Sequence, residues 1–140
     1  MSSKNASGMT PLMLAGEQGS FGIMELLFDS EIKQDVKDEG GRTCLHVAAE
    51  CGHKSCVAQC LVRGHDVNVR NKVGNTALHL ASLRGHQEVV SCLLAERAVE
   101  SIVNEAGYRP DQIAMDQDLR TEIQKGLMTA EGNRRTIAWV

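Results

Sequence analysis

Aromatic residues are scarce: Phe, Tyr and Trp together make up 3% of the 140 residues. Large aromatics commonly fill deep enzyme cores and line ligand pockets, so their scarcity favours a thin architecture packed by Leu, Val, Ile, Ala and Met. Positive charge is not in excess either. Fifteen Lys and Arg against 18 Asp and Glu leave a formal net charge of -3, without the basic footprint that grips a phosphate backbone. No apolar run approaches the roughly 18 residues of a membrane span, and the start MSSKNASG has neither a basic n-region nor an apolar h-region. These absences predict a soluble, cytoplasmic or nuclear chain whose partner is neither nucleic acid nor membrane. The five cysteines (Cys44, Cys51, Cys56, Cys60 and Cys92) are an odd count at unrelated repeat positions, which predicts free thiols rather than a disulfide framework.

Signatures of catalysis are missing too. The glycines are not followed by the Lys-Ser/Thr of a phosphate loop, and the carboxylates form no confined pair suited to acid-base work. No catalytic residue and no cofactor is expected.

What is present is repetition. GMTPLMLAGEQGS from Gly8, GRTCLHVAAECGH from Gly41, GNTALHLASLRGH from Gly74 and GYRPDQIAMDQDL from Gly107 follow one another at a constant interval of thirty-three residues. Thr10, Thr43 and Thr76 share a column, as do Leu12, Leu45 and Leu78, and Gly19, Gly52 and Gly85. A fixed period of this length signals stacked supersecondary units.

Within a unit, Thr43 suits an N-cap, Leu45, Val47, Ala48 and Ala49 form an apolar stretch, and Gly52 supplies a left-handed stop. In the first unit Pro11 follows Thr10 at the first helical position. Val57, Cys60, Leu61 and Val62 make a second apolar set that Gly64 ends. Each unit is therefore expected to be two short antiparallel helices. The stretch DVNVRNKVGN from Asp66 alternates apolar and polar residues before an Asn/Gly turn, which predicts a β-hairpin-like finger. Helices this short are marginal alone, so stability must come from the faces between units.

These units resemble ankyrin repeats, on TPLMLA from Thr10, TCLHVAAECGH from Thr43, DVNVRN from Asp66 and TALHLASLRGH from Thr76. The resemblance implies an all-α repeat solenoid of helix-turn-helix units joined by β-hairpin fingers. It spans residues 1–127, in units at about 4–36, 37–69 and 70–102 with a degenerate capping unit at 103–127, and leaves a C-terminal tail at 128–140. The departures are Met13 in the His column, Cys44 and Ala77 in the Pro column, Glu31 and Arg97 in the column of Gly64, and Arg109 and Asp118 in the last unit. His46 and His79 are implied to bond the Thr of their own unit and tie it to the adjacent finger, and Asn68 matches a position that hydroxylases modify in some members.

The implied function is protein binding, on a concave face of finger tips and exposed sides of first helices. On that face Met9, Val73, Leu83 and Tyr108 are apolar, Arg42 and Arg84 lie beside them, and Asn75 joins them from its finger; Tyr, Met and Arg are enriched at interface centres. Two alternatives are a regulatory or targeting segment of a larger multidomain enzyme or scaffold, and a zinc or redox protein using Cys51, His53, Cys56 and Cys60. The first unit offers Phe21, Ile23, Met24 and Leu27, an apolar set that suggests self-association or further repeats through the N-terminal face.

Overall fold

In a computed structural model of the chain, which describes residues 8–29 and 36–125, the period of the sequence becomes a period of helices. Helices α1 (Pro11–Gln18), α3 (Cys44–Cys51) and α5 (Ala77–Arg84) begin at equivalent positions, and each is followed by a partner, α2 (Phe21–Asp29), α4 (Lys54–Val62) and α6 (Gln87–Ala95). The fourth unit starts in register with a single 3-10 turn, Pro110–Ile113, and is helical again from residue 117 to 125. The tail at 128–140 lies outside the described residues.

Local chemistry sets both ends of each first helix. Thr10, Thr43 and Thr76 are extended N-caps, and the Thr10 hydroxyl accepts from the Met13 N–H at 3.3 Å. At the other end Gly52 is left-handed with φ 80°, and a Cβ built there would lie 2.6 Å from His86 Nδ1. Glycine is thus required at this position twice over, by backbone conformation and by the imidazole packed against it.

The first helices stack in one row, α1 on α3 on α5 on the 3-10 turn, and α2, α4 and α6 form a second row behind them. Between the rows runs one continuous core. Leu12, Leu45 and Leu78 fill it from the first row, and Met24, Val57 and Val90 from the second, all nearly or fully buried. Leu119 and Ile123 continue it into the last unit. The two helices of each unit pack on each other and, beyond that, on the adjacent units, as expected for a one-dimensional stack.

The expected β-hairpin fingers are corrected: no strand occurs among the described residues. The fingers are tight turns built around one column of Asx side chains. Asp38 Oδ1 accepts from the N–H groups of Gly40 and Arg42, Asn71 Oδ1 from those of Val73 and Asn75, and Asn104 Oδ1 from that of Tyr108. Successive fingers are then joined by one backbone bond each, Lys72 N–H to Gly40 O and Glu105 N–H to Val73 O, both 3.0 Å. With side chains satisfying the turn and one bond crossing each gap, the ladder that defines a strand has no room to form.

Candidate interaction face

Four histidines hold the units in line. Nδ1 of His46 accepts from the Thr43 N–H at 3.1 Å and its Nε2 reaches Asn75 O at 3.1 Å, in the next finger. His79 repeats this with the Thr76 N–H at 3.1 Å and Tyr108 O at 2.9 Å. Because Nδ1 accepts, the proton sits on Nε2 and donates to the neighbouring unit. Burial holds both imidazoles below their ordinary pKa, so this neutral tautomer persists. His53 and His86 point the other way along the stack, to Glu17 O at 2.9 Å and Glu50 O at 2.7 Å in the preceding first helix. All four side chains therefore serve inter-unit cohesion.

Those bonds also fix the finger tips. Tyr108 O accepts from both His79 Nε2 and the Asn104 N–H, while the Tyr108 N–H is held by Asn104 Oδ1. Val73 is bound by Asn71 Oδ1 at its N–H and by the Glu105 N–H at its carbonyl. The side chains of both residues nonetheless stand in solvent, at 53% exposure for Val73 and 50% for Tyr108. Leu83, one residue before the end of α5, is 45% exposed beside fully buried Ser82. Met115 was not among the expected residues, yet its N–H bonds to Ser82 O at 2.8 Å, which places it next to Leu83 with 68% exposure. Its column hid it, because the equivalent Gly16, Ala49 and Ser82 are small and buried and so pointed to the core.

The charged residues of this face are already partnered. Glu50 bridges Arg42 at 3.3 Å and Arg84 at 3.1 Å, and Arg42 is further held by Asp38 at 2.8 Å. Burial opposes ionisation of Asp38, but the Arg42 and Gly40 N–H groups and the Arg42 guanidinium outweigh it and keep the carboxyl below its ordinary pKa. Arg84 has the more exposed side chain, so of the two arginines it is the freer to turn toward a ligand. Asn75 belongs to the scaffold: its N–H, carbonyl and Oδ1 are all taken, the last by Asn104 Nδ2 at 2.9 Å.

Three expectations are corrected here. Met9 is 7% exposed and belongs to the core, since its flexible, unbranched side chain turns inward beside the first N-cap. Met24 is likewise fully buried, which leaves Phe21, Ile23 and Leu26 as the exposed apolar residues of α2. The set Cys51, His53, Cys56 and Cys60 does not converge: Cys56 and Cys60 face the core, Cys51 is half-buried and His53 is committed to Glu17 O. Among the described residues no group of three His, Cys, Asp or Glu side chains could hold a metal ion. All five cysteines are free thiols, and no helix among the described residues is long and apolar enough to cross a membrane.

The family model for ankyrin repeats (3 copies) matches residues 1–59 and 55–135. Among characterised proteins, ankyrin repeat domain-containing protein 29 of Danio rerio is 39% identical over 55 residues and that of Homo sapiens 38%. Each alignment takes in 39% of this chain and 18% of the relative. Ankyrin repeats are generally non-catalytic protein-interaction modules. The matched repeats, the thirty-three-residue interval and the helix pairs it generates agree: the chain belongs to the ankyrin repeat family.

Proposed function

We propose that this chain binds a partner protein on its concave face, through Val73, Leu83, Tyr108 and Met115, with Arg84 beside them. The observation that carries this reading is the contrast at the finger tips. Val73 and Tyr108 have their N–H groups pinned within their own finger and their carbonyls by the neighbouring unit, while their apolar side chains remain half exposed. Such groups are held in place before a ligand arrives, so binding loses little conformational entropy. Arg42 and Asn75 act behind them as supports for the fingers, and Met9 supports the first unit from the core.

The test is affinity capture with the wild type, a Leu83→Glu/Tyr108→Ala variant and a Val62→Glu control, each first shown to be helical by circular dichroism. Val62 is 80% exposed, on α4 in the second row, and samples the other face. Proteins kept by the control and lost by the double variant support the concave face. Loss with the control alone moves the site to the second helices.

A second reading is a targeting or regulatory segment of a larger scaffold or enzyme, since the aligned stretch makes up 18% of each relative. An antibody against residues 8–125 would detect a band well above 15.2 kDa in extract if that reading holds. A cytoplasmic or nuclear location accords with both readings, and the same antibody tests it by immunofluorescence.

A further inference from the structure

Unit two carries a thiol cluster that its neighbours lack. Cys44, the first residue of α3, and Cys60 on α4 bring their sulfurs to 3.3 Å. The His65 ring lies against the same sulfur, with its nitrogens 3.8 and 3.9 Å from Cys44 Sγ. One interval later in the chain, the columns of Cys44, Cys56, Cys60 and His65 hold Ala77, Val89, Leu93 and Ala98. All four of those residues are buried and aliphatic, so the stack is built equally well without sulfur or imidazole. Pro11 and Leu27 occupy the columns of Cys44 and Cys60 in unit one. Packing therefore does not account for three chemically reactive side chains meeting at one point.

The cluster lies behind a surface cleft. His65 lines a cavity of about 350 Å³ together with Lys37, Thr43, Arg63, Asp66 and Val69. On its other side the ring touches Cys44, so His65 stands between the cavity and an otherwise buried sulfur.

We propose that Cys44 and Cys60 form a dithiol site that reacts with hydrogen peroxide, with Cys44 as attacking sulfur, Cys60 as resolving sulfur and His65 as a positioning residue. In the first step the Cys44 thiolate attacks one peroxide oxygen. The O–O bond breaks, the second oxygen leaves as hydroxide and takes a proton from solvent, and Cys44 becomes a sulfenic acid. In the second step the Cys60 sulfur attacks Cys44 Sγ; the S–S bond forms, the S–O bond breaks, and the departing hydroxyl leaves as water with the Cys60 proton. Overall, two thiols and one peroxide give one disulfide and two waters.

The electrostatics divide the roles in this way. Cys44 is lowered to about 6 by the hydrogen bond from the Cys60 thiol, against burial, with His65 and the Leu45 N–H adding to the effect. Cys60 is raised by the same bond and by burial, so it keeps its proton until the second step. The other charged groups around the cavity are Lys37, Arg63 and Asp66, and Arg63 is paired with Asp29 at 2.7 Å. Cys51 and Cys92, the two half-buried thiols, are both raised by burial and serve as internal standards.

The reduced 140-residue chain would be treated with hydrogen peroxide at pH 6, quenched with an alkylating agent, and read by intact mass and peptide mapping. With Cys44 lowered and Cys51 and Cys92 raised, the Cys44–Cys60 cross-link should form several-fold faster than modification of Cys51 or Cys92. Cys60→Leu and Cys44→Ala install the residues that unit three uses. Cys60→Leu removes both the resolving sulfur and the bond that lowers Cys44, so Cys44 should oxidise more slowly and stop at a sulfenic acid, which a cyclic 1,3-diketone added with the denaturing quench traps; with Cys44→Ala, no cross-link should form. His65→Ala should move the pH midpoint of cross-linking upward, an effect that loss of packing alone would not produce. The proposal is overturned if native wild-type Cys44 reacts no faster than Cys51 and Cys92 at pH 6, or if the bond joins another pair. It is equally overturned if the cross-link forms only in denaturant.

Discussion

Replacing His79 by Met is the substitution that most directly weighs the inter-unit bonds, because the same column already holds a buried methionine, Met13, in the first unit. Volume and apolar packing are nearly conserved, and three hydrogen-bond contacts of the ring are removed: those of the Thr76 N–H and hydroxyl with Nδ1, at 3.1 and 2.9 Å, and Nε2–H to Tyr108 O at 2.9 Å. The carbonyl keeps its bond from the Asn104 N–H, but the Thr76 N–H is left unsatisfied on a residue only 1% exposed. A lost bond costs about 1 kcal/mol and a stranded buried donor about 1–3 kcal/mol, so the sum is roughly 2–4 kcal/mol. Protonation acts on the same bonds. Burial depresses both His79 and His46 from 6.5, so below that value the unfolded chain binds more protons than the folded one. Their stabilisation is full above pH 6.5 and is lost as pH falls through the folded pKa values, at up to about 1.4 kcal/mol per pH unit for each imidazole. Urea denaturation monitored by circular dichroism at pH 7.5, 6.5 and 5.5 reads both effects. The wild type should weaken between the last two pH values, and His79→Met should start weaker and show a shallower decline. A variant within 0.5 kcal/mol of wild type at pH 7.5 would refute the bond accounting. An unchanged pH slope would refute the tautomer assignment.

Four further outcomes follow from local geometry. Leu45→Ala, at a side chain with 0% exposure between the two helical rows, should cost about 2–5 kcal/mol in the same denaturation assay. Arg97 is left-handed at φ 66°, in the column where Gly64 sits at 91°, so Arg97→Gly should stabilise by about 0.5–1 kcal/mol, seen as a higher urea midpoint. Asp38→Ala removes the acceptor of two finger N–H groups and should cost about 1–3 kcal/mol; in the wild type that contribution is full above pH 3.8 and disappears on acidification through the folded pKa. Glu50→Gln should change stability by less than about 1 kcal/mol, because Arg84 is well exposed and its pair is screened while Arg42 keeps its shorter bond to Asp38, and should release Arg84 to alter partner binding in a salt-dependent titration.

The fold was legible because each unit states the same physical requirements in the same order. A capping Thr, an apolar stretch and a left-handed Gly locate each first helix, and the interval between columns places the next one. The finger was misread for a physical reason. Alternation at Val67 and Val69 resembles a strand, but each turn is closed within four residues, by one backbone bond (Asp38 N–H to Arg42 O, Asn71 N–H to Asn75 O, Asn104 N–H to Tyr108 O) and by the Asp38, Asn71 and Asn104 side-chain oxygens, and no strand extends from it among the described residues. That column was visible in the sequence as Asp, Asn and Asn at the repeat interval, and hydrogen bonding by such side chains to nearby N–H groups was the available signal.

The candidate face was legible only in part, because a column tells which side of a unit a residue occupies but not how far its side chain reaches. Met9 and Tyr108 share one column, yet the flexible thioether folds into the core while the rigid ring on a pinned finger stays out. The thiol cluster escaped for a related reason. Cys44 and Cys60 lie sixteen residues apart on different helices, so their contact depends on how α3 crosses α4. Spacing along the chain pointed instead to Cys51, His53, Cys56 and Cys60, which are neighbours in sequence and diverge in space. The informative comparison runs across units rather than along one. Where a column that is aliphatic and buried in unit three becomes Cys or His in unit two, and the same change occurs in columns that touch, the repeat supplies its own reference for what packing alone requires.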